Sequence, residues 1–461
     1  MKVIRFGLLL TLAIGISPSV VFAQDDLNPA GVIVRPEDTP QLSASQPATP
    51  QGSLIPPKDE FGLPGPLWLF EFLLPATFFL HVLFMNIALG TALLAIPLTL
   101  LARGRPHVDA ALHDLYAAWP VAMSLTVTTG IAPLLFVQVL YGHFFFVSSI
   151  LLGWWWLAVI VALLAAFYGI YIAKAAVGQG ADPTKNQSPR PPSLLHWLAL
   201  AIIALACIFI AAMFTANSTL MLLPDAWKHV HEGRQMGWDV HPMFWPRLAH
   251  NLIGSLAVTG MFIAVRARLK RVCEDELHEG DTFHVVNEGG GLVPINRDGL
   301  ALRLNESRTG TITLGLLIAL IATCVQVADG IWFVVTIFHD VVAAFHQVTP
   351  GTILWGLAVL AAIALIVALF KGLDHPERPA AVWLPTGLLA FILVGMSAGR
   401  ERVRMGMLQR HAEKLFTETD VRPQTLTTIL FFITLAAGLA LIALMVRWMF
   451  TARRNEANLP S

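Results

Sequence analysis

The stretch Phe244–Phe262, FWPRLAHNLIGSLAVTGMF, sets the reading of the whole chain. It is an apolar segment with one histidine, His250, near its start. Small residues follow at Gly254, Ser255, Ala257 and Gly260. An ionisable side chain in hydrocarbon is costly without a partner, so an intramembrane histidine marks a functional site. Neutral imidazole is a good iron ligand, and small residues let a flat macrocycle lie against a helix. The competing reading is a histidine at the membrane surface, hydrogen-bonded to a neighbouring helix.

Composition generalises what that stretch says. The 461 residues are 56% hydrophobic and 13% charged, with a mean hydropathy of +0.67. An average soluble chain is about 25% charged, so this is a polytopic membrane protein with lipid as its main neighbour. Nothing in the charge distribution makes a basic patch, which excludes nucleic acid as a partner. The three cysteines are Cys207, Cys273 and Cys324. None lies in C-x-x-C or C-x-x-C-H, so covalent c-type heme, an iron–sulfur cluster and a zinc knuckle have no sequence basis.

Residues 1–23 read as a cleaved secretory signal: Lys2 and Arg5, an apolar core, then Val21-Phe22-Ala23. Residues 24–65, rich in Pro, Ser, Gln and Asp, read as a disordered periplasmic arm. The membrane domain, 66–450, holds nine apolar segments, and a span needs about 20 residues. They lie at 67–101, 115–141, 147–173, 194–222, 245–267, 310–337, 351–371, 381–398 and 427–449. The expected fold class is therefore all-α, a nine-helix transmembrane bundle. Counting from an external N-terminus puts the basic loops and the tail 451–461 in the cytoplasm of a bacterial inner membrane protein. The expected outer loop 399–426 breaks the charge rule with Arg400, Arg402, Arg404 and Arg410. The cytoplasmic loop 268–309 carries short alternating runs, FHVV and LALRL, that read as a small hairpin. Its glycines at 289–291 lack the Gly-Lys-Ser/Thr of a phosphate loop.

His143, His250, His339 and His346 all fall near the outer face. His81 lies deeper, about 20 Å below the start of its span at 1.5 Å per residue. Hemes near that face would use such a cluster, and so would unrelated interfacial histidines. Depth in apolar sequence makes His81 and His250 the leading ligands. Asp329 reads as a proton-relay carboxyl or a helix-pairing acid. Heme propionates are anionic and guanidinium forks suit them, so Arg400, Arg402 or Arg404 can cover them. An outer salt bridge within Arg400-Glu401-Arg402 is the alternative.

At this point the sequence resembles the large heme-carrying subunit of the cytochrome bd quinol oxidases. FEFLLPATFFLHVLFMNIALG looks like that family's first span, with its heme-ligating histidine at His81 and a glycine at Gly90. TGIAPLLFVQVLYG from Thr129 looks like the end of the second. Ala216-Asn217-Ser218 with Met221 and Pro224 is similar to the family's Ala-Asn-x-x-Met-x-x-Pro, one residue longer. His250 with Thr259-Gly260-Met261-Phe262 resembles the span of the low-spin heme b histidine. Gly399-Arg400 looks like the start of Gly-Arg-Gln-Pro-Trp. The departures are specific. The family's carboxylate ligand corresponds to Ser397, and its methionine opposite the low-spin histidine falls near Leu354. An acidic residue of the second span falls on Leu135, the third span lacks a carboxylate, and the quinol-binding loop shrinks to the stretch around His346.

The resemblance implies heme b, two or more, and a quinone. The lost ligands imply replacements: His346 or Met396 opposite His250, and His143 opposite His81. Six-coordinate hemes pass electrons, so the expected activity is electron transfer between a membrane quinol and a periplasmic cytochrome or other redox partner, as a quinol oxidoreductase. A second membrane subunit is implied by the resemblance alone. Two other readings stand beside it: a bd-type quinol oxidase reducing oxygen with altered ligands, and a transporter or structural membrane subunit without heme.

Overall fold

The computed structural model describes residues 54–178, 192–270, 283–286, 292–295, 297–346 and 348–457. The expected signal, the arm up to residue 53 and the glycines at 289–291 lie outside the described residues. Helices form at each apolar segment: α1 Leu67–Leu101, α2 Pro106–Leu152, α3 Trp154–Gly178, α4 Leu194–Leu220, a short α5 Trp227–His231, α6 Phe244–Leu269, α7 Arg297–Thr336, a short α8 Phe338–Phe345, α9 Pro350–Asp374, α10 Ala380–Leu408 and α11 Thr425–Ala457. Among the described residues, eight helices are long and apolar enough to cross a membrane. In the ninth, α11, an apolar stretch covers at least Thr425–Gly438 among the described residues. The protein is thus an all-α membrane bundle, and large apolar side chains such as Ile150, Val161, Leu205 and Leu360 point outward, as lipid requires.

Several boundaries differ from the sequence reading, three of them for a clear local reason. The second and third spans do not part at 142–146. The chain stays helical there apart from a kink at Tyr141 (φ −132°, ψ 26°), and turns at Gly153 (φ 52°), a conformation that costs glycine little. The eighth span runs ten residues further than its apolar run, to Leu408, so Arg400, Arg402 and Arg404 ride on a helix and not in a loop. Of the three, Arg404 is paired, with Glu401 one turn before it. In the loop, FHVV forms β1 (Phe283–Val286), antiparallel to β2 (Leu292–Ile295) with Phe283 opposite Ile295. LALRL, made of good helix formers, is instead part of α7.

Packing divides the helices into two groups. Helices α1 to α4 share a core around Leu115, Trp119, Ile170, Leu200 and Ile203. Helices α6, α7, α9 and α10 share another around Met261, Ile312, Leu316, Leu369 and Val382. The groups join where α1 crosses α6: Gly90 lies against the Ser255 backbone, and the Thr259 hydroxyl donates to the Asn86 carbonyl at 3.0 Å. Gly260 meets Gly315 of α7 backbone to backbone. The small residues behind His250 therefore serve close helix contact, the usual glue where lipid removes any hydrophobic drive between helices.

One end of the bundle carries the hairpin. The other is closed by a third core, including Leu63, Phe144, Met221, Met243 and Leu408. There the described end of the arm is pinned. Lys58 Nζ lies 2.9 Å from Asp420, and Arg422 N–H donates to the Leu63 carbonyl at 2.7 Å. Gly62 (φ 64°) sits against the Asp420 carbonyl, where a Cβ has no room.

Candidate functional site

His250 is set by α7. Its Nδ1 lies 2.8 Å from Asp329 Oδ2. The Asp329 side chain is 4% exposed and the imidazole 39%. The carboxylate is thus sealed in the bundle while the ring reaches outward from it. One turn along α7, the Gln326 amide donates to the His250 carbonyl at 3.1 Å. A carboxylate accepts, so the proton of a neutral imidazole sits on Nδ1. The lone pair is then on Nε2, which has no hydrogen bond among the described residues. Asp329 does pair two helices, and it does so through the histidine.

His81 is arranged the same way from α2. Its Nδ1 lies 3.0 Å from the Thr126 carbonyl, again an acceptor, and its Nε2 has no hydrogen bond among the described residues. The ring packs against Gly130, where an added Cβ would stand 2.9 Å from Cε1. Phe78, on the same face, has its ring centroid 6.3 Å from that of His81. The Arg400 guanidinium lies 4.1 Å over Phe78 and within electrostatic reach of His81.

Arginines from α6 and α10 come together near His81. Arg247, one turn before His250, lies within electrostatic reach of Arg400 and Arg404. The carboxylate among them, Glu401, is already bonded to Arg404 and accepts from the Tyr141 hydroxyl at 2.5 Å. Arg247 donates only to neutral oxygens, the Ser218 carbonyl and the Thr219 hydroxyl. Arg247 and Arg400 are thus left without a carboxylate bond among the described residues. This corrects the expected salt bridge within Arg400-Glu401-Arg402, because the partner of Glu401 is Arg404.

The remaining candidates are dispersed. His143 lies between Phe144 and Phe416, and its buried Nε2 has no hydrogen-bond partner among the described residues. It lies about 20 Å along α2 from Gly130 at 1.5 Å per residue, and the His81 ring rests on Gly130. One iron cannot take both, since trans ligands on one metal are only a few ångströms apart. The expected pairing of His143 with His81 is therefore not formed. His346 is exposed at the end of α8, and Met396 is half-buried on α10, one turn deeper than Arg400 and on its face. Sequence reading missed Arg247 and Tyr141. Arg247 was within reach, because a guanidinium one turn from an intramembrane histidine shares its face.

The fold is shared with a chain of the bd oxidase from Geobacillus thermodenitrificans. The TM-score is 0.56 at 14% identity, over 84% of this chain and 98% of that one. No family model matches the chain, and no curated protein sequence matches it.

The residues present fit a heme. Two imidazoles offer unbonded Nε2 atoms with Nδ1 held, the arrangement of metal-binding histidines. Two guanidiniums without a carboxylate bond stand beside them, and a heme carries two propionates.

Proposed function

We propose that the chain is a membrane-embedded b-type cytochrome that passes electrons between a membrane quinol and a periplasmic acceptor or partner cytochrome. The observation that carries this reading is the pair of histidines, His81 and His250. Each has Nδ1 tied to an acceptor on the next helix, and the nearby Arg400 and Arg247 have no carboxylate bond among the described residues. Heme, when bound, supplies a one-electron carrier. The chain supplies the rest. His250 and His81 offer ligand nitrogens at fixed orientations. Arg400 and Arg247 neutralise the propionates. Met396 and His346 are the further residues that would help His250 hold the heme. The protein lies in the bacterial inner membrane with its mature N-terminus periplasmic, next to a second membrane subunit.

A reduced-minus-oxidised visible spectrum with and without carbon monoxide, alongside pyridine-hemochrome quantitation, tests this. Sharp b-type bands unmoved by carbon monoxide are expected. A carbon monoxide shift or a chlorin-type red band favours the oxygen-reducing alternative, which the shared fold makes the nearest competitor. Protein without heme leaves the transport or scaffold reading.

A further inference from the structure

We infer that Asp329 is a positioning residue that sets the redox potential of the heme held by His250; the inference rests on the reading of His250 as a heme ligand. Three observations converge on Asp329. Its Oδ2 is 2.8 Å from His250 Nδ1. Its Oδ1 is buried without a hydrogen-bond partner among the described residues, so the imidazole is what the carboxylate is placed for. Its side chain is 4% exposed, so the carboxylate itself is shielded from water. Gln326 ties the same two helices through the His250 carbonyl, so the pairing of the helices does not rest on Asp329 alone.

The consequence is electronic. A buried carboxylate that accepts the Nδ1 proton gives the imidazole anionic character and makes Nε2 a stronger donor. A stronger donor favours the ferric over the ferrous ion and lowers the midpoint potential of that heme. Each tenfold change in the ratio of ferric to ferrous affinity moves a one-electron couple by about 59 mV. Asp329→Asn keeps an acceptor of the same shape and removes the charge. It should raise the potential of one heme and leave any other unmoved. Asp329→Leu removes the acceptor, and loss of such a partner typically weakens metal binding by about 10–100-fold. Gln326→Ala loses only the backbone tie and should leave the potential as in the native protein.

The test is potentiometric titration of native protein, Asp329→Asn and Gln326→Ala, with hemochrome content of His250→Ala measured in parallel. Loss of one heme in His250→Ala, with a positive shift confined to that heme in Asp329→Asn, supports the inference. Loss of that heme with an unshifted Asp329→Asn overturns the inference and leaves the heme-ligand reading standing. Full heme retention in His250→Ala overturns both. A second measurement does not depend on Asp329 variants folding. His250→Gly is supplied with imidazole or with 1-methylimidazole, which binds iron and has no N–H to give Asp329. A higher potential with the methylated ligand supports the inference, and equal potentials overturn it.

Discussion

At the scale of single residues, two histidines are presented by different means to the same effect. His250 is held by a buried carboxylate and His81 by a backbone carbonyl. Each is expected to hold one heme. His250→Ala and His81→Ala should each remove one equivalent in a hemochrome assay, and the double variant both. Gly130 is expected to matter as much as the ligand it supports. A Cβ there stands 2.9 Å from the His81 ring, closer than real contacts allow. Gly130→Val should therefore turn the ring and lose the heme on His81, while the heme on His250 stays. Equal loss of both hemes would show a general packing failure instead.

At the scale of elements, the informative feature is that α10 continues past its apolar run. Its last turns carry Arg400, Glu401, Arg402 and Arg404 into the closed end of the bundle. This works because α2, kinked at Tyr141, brings a hydroxyl onto Glu401, and Arg404 takes the other carboxylate oxygen. Removing one member of a buried pair costs about 3–5 kcal/mol, because the other charge is left behind. Glu401→Gln should therefore lower the unfolding midpoint in detergent clearly. Tyr141→Phe, which takes one hydrogen bond from a buried oxygen, should cost about 1–3 kcal/mol. The double variant Glu401→Leu with Arg404→Met should recover most of the loss. Additive losses in the double variant would argue against the two side chains acting as a pair.

At the scale of the whole molecule, two joints hold the assembly. One is the close crossing of α6 on α7 at Gly260 and Gly315, where each glycine faces the other helix's backbone. Gly260→Leu must drive the helices apart, and with them His250 from Asp329. It should lose the His250 heme although it touches neither residue. The other joint pins residues 58–64 to 415–424. Burial disfavours the Asp420 carboxylate, but Lys58 together with the Thr417 amide and hydroxyl outweighs it, and the folded pKa is lowered. A lowered carboxyl stabilises the fold above its unfolded value of about 3.9, and that contribution is lost as pH falls through the lower folded value. Hydrogen-exchange protection of the Leu63 and Arg422 amides should hold from neutral pH down to about 5 and fall below about 4. Protection that is flat through acid would mean the backbone bonds alone hold this joint.

Sequence alone determined the class of this protein and the positions of its helices, because lipid leaves a long apolar run little choice but a helix. It also singled out His81 and His250, since an imidazole in such a run stands out against its surroundings. The partners of those histidines were a different matter. Asp329 was visible as an acid in an apolar span, but only the packing of α7 on α6 showed that it faces the ring of His250. Arg404, not Arg400 or Arg402, neutralises Glu401, because α10 stays helical and sets residues one turn apart side by side. His143 and His81 were expected to share one heme, and the run of α2 separates them by about 20 Å. Which polar groups meet across helices depends on the phase and depth of each helix in the bundle. Those are fixed by close contacts such as Gly90 on Ser255 and Gly260 on Gly315, between residues far apart in the chain.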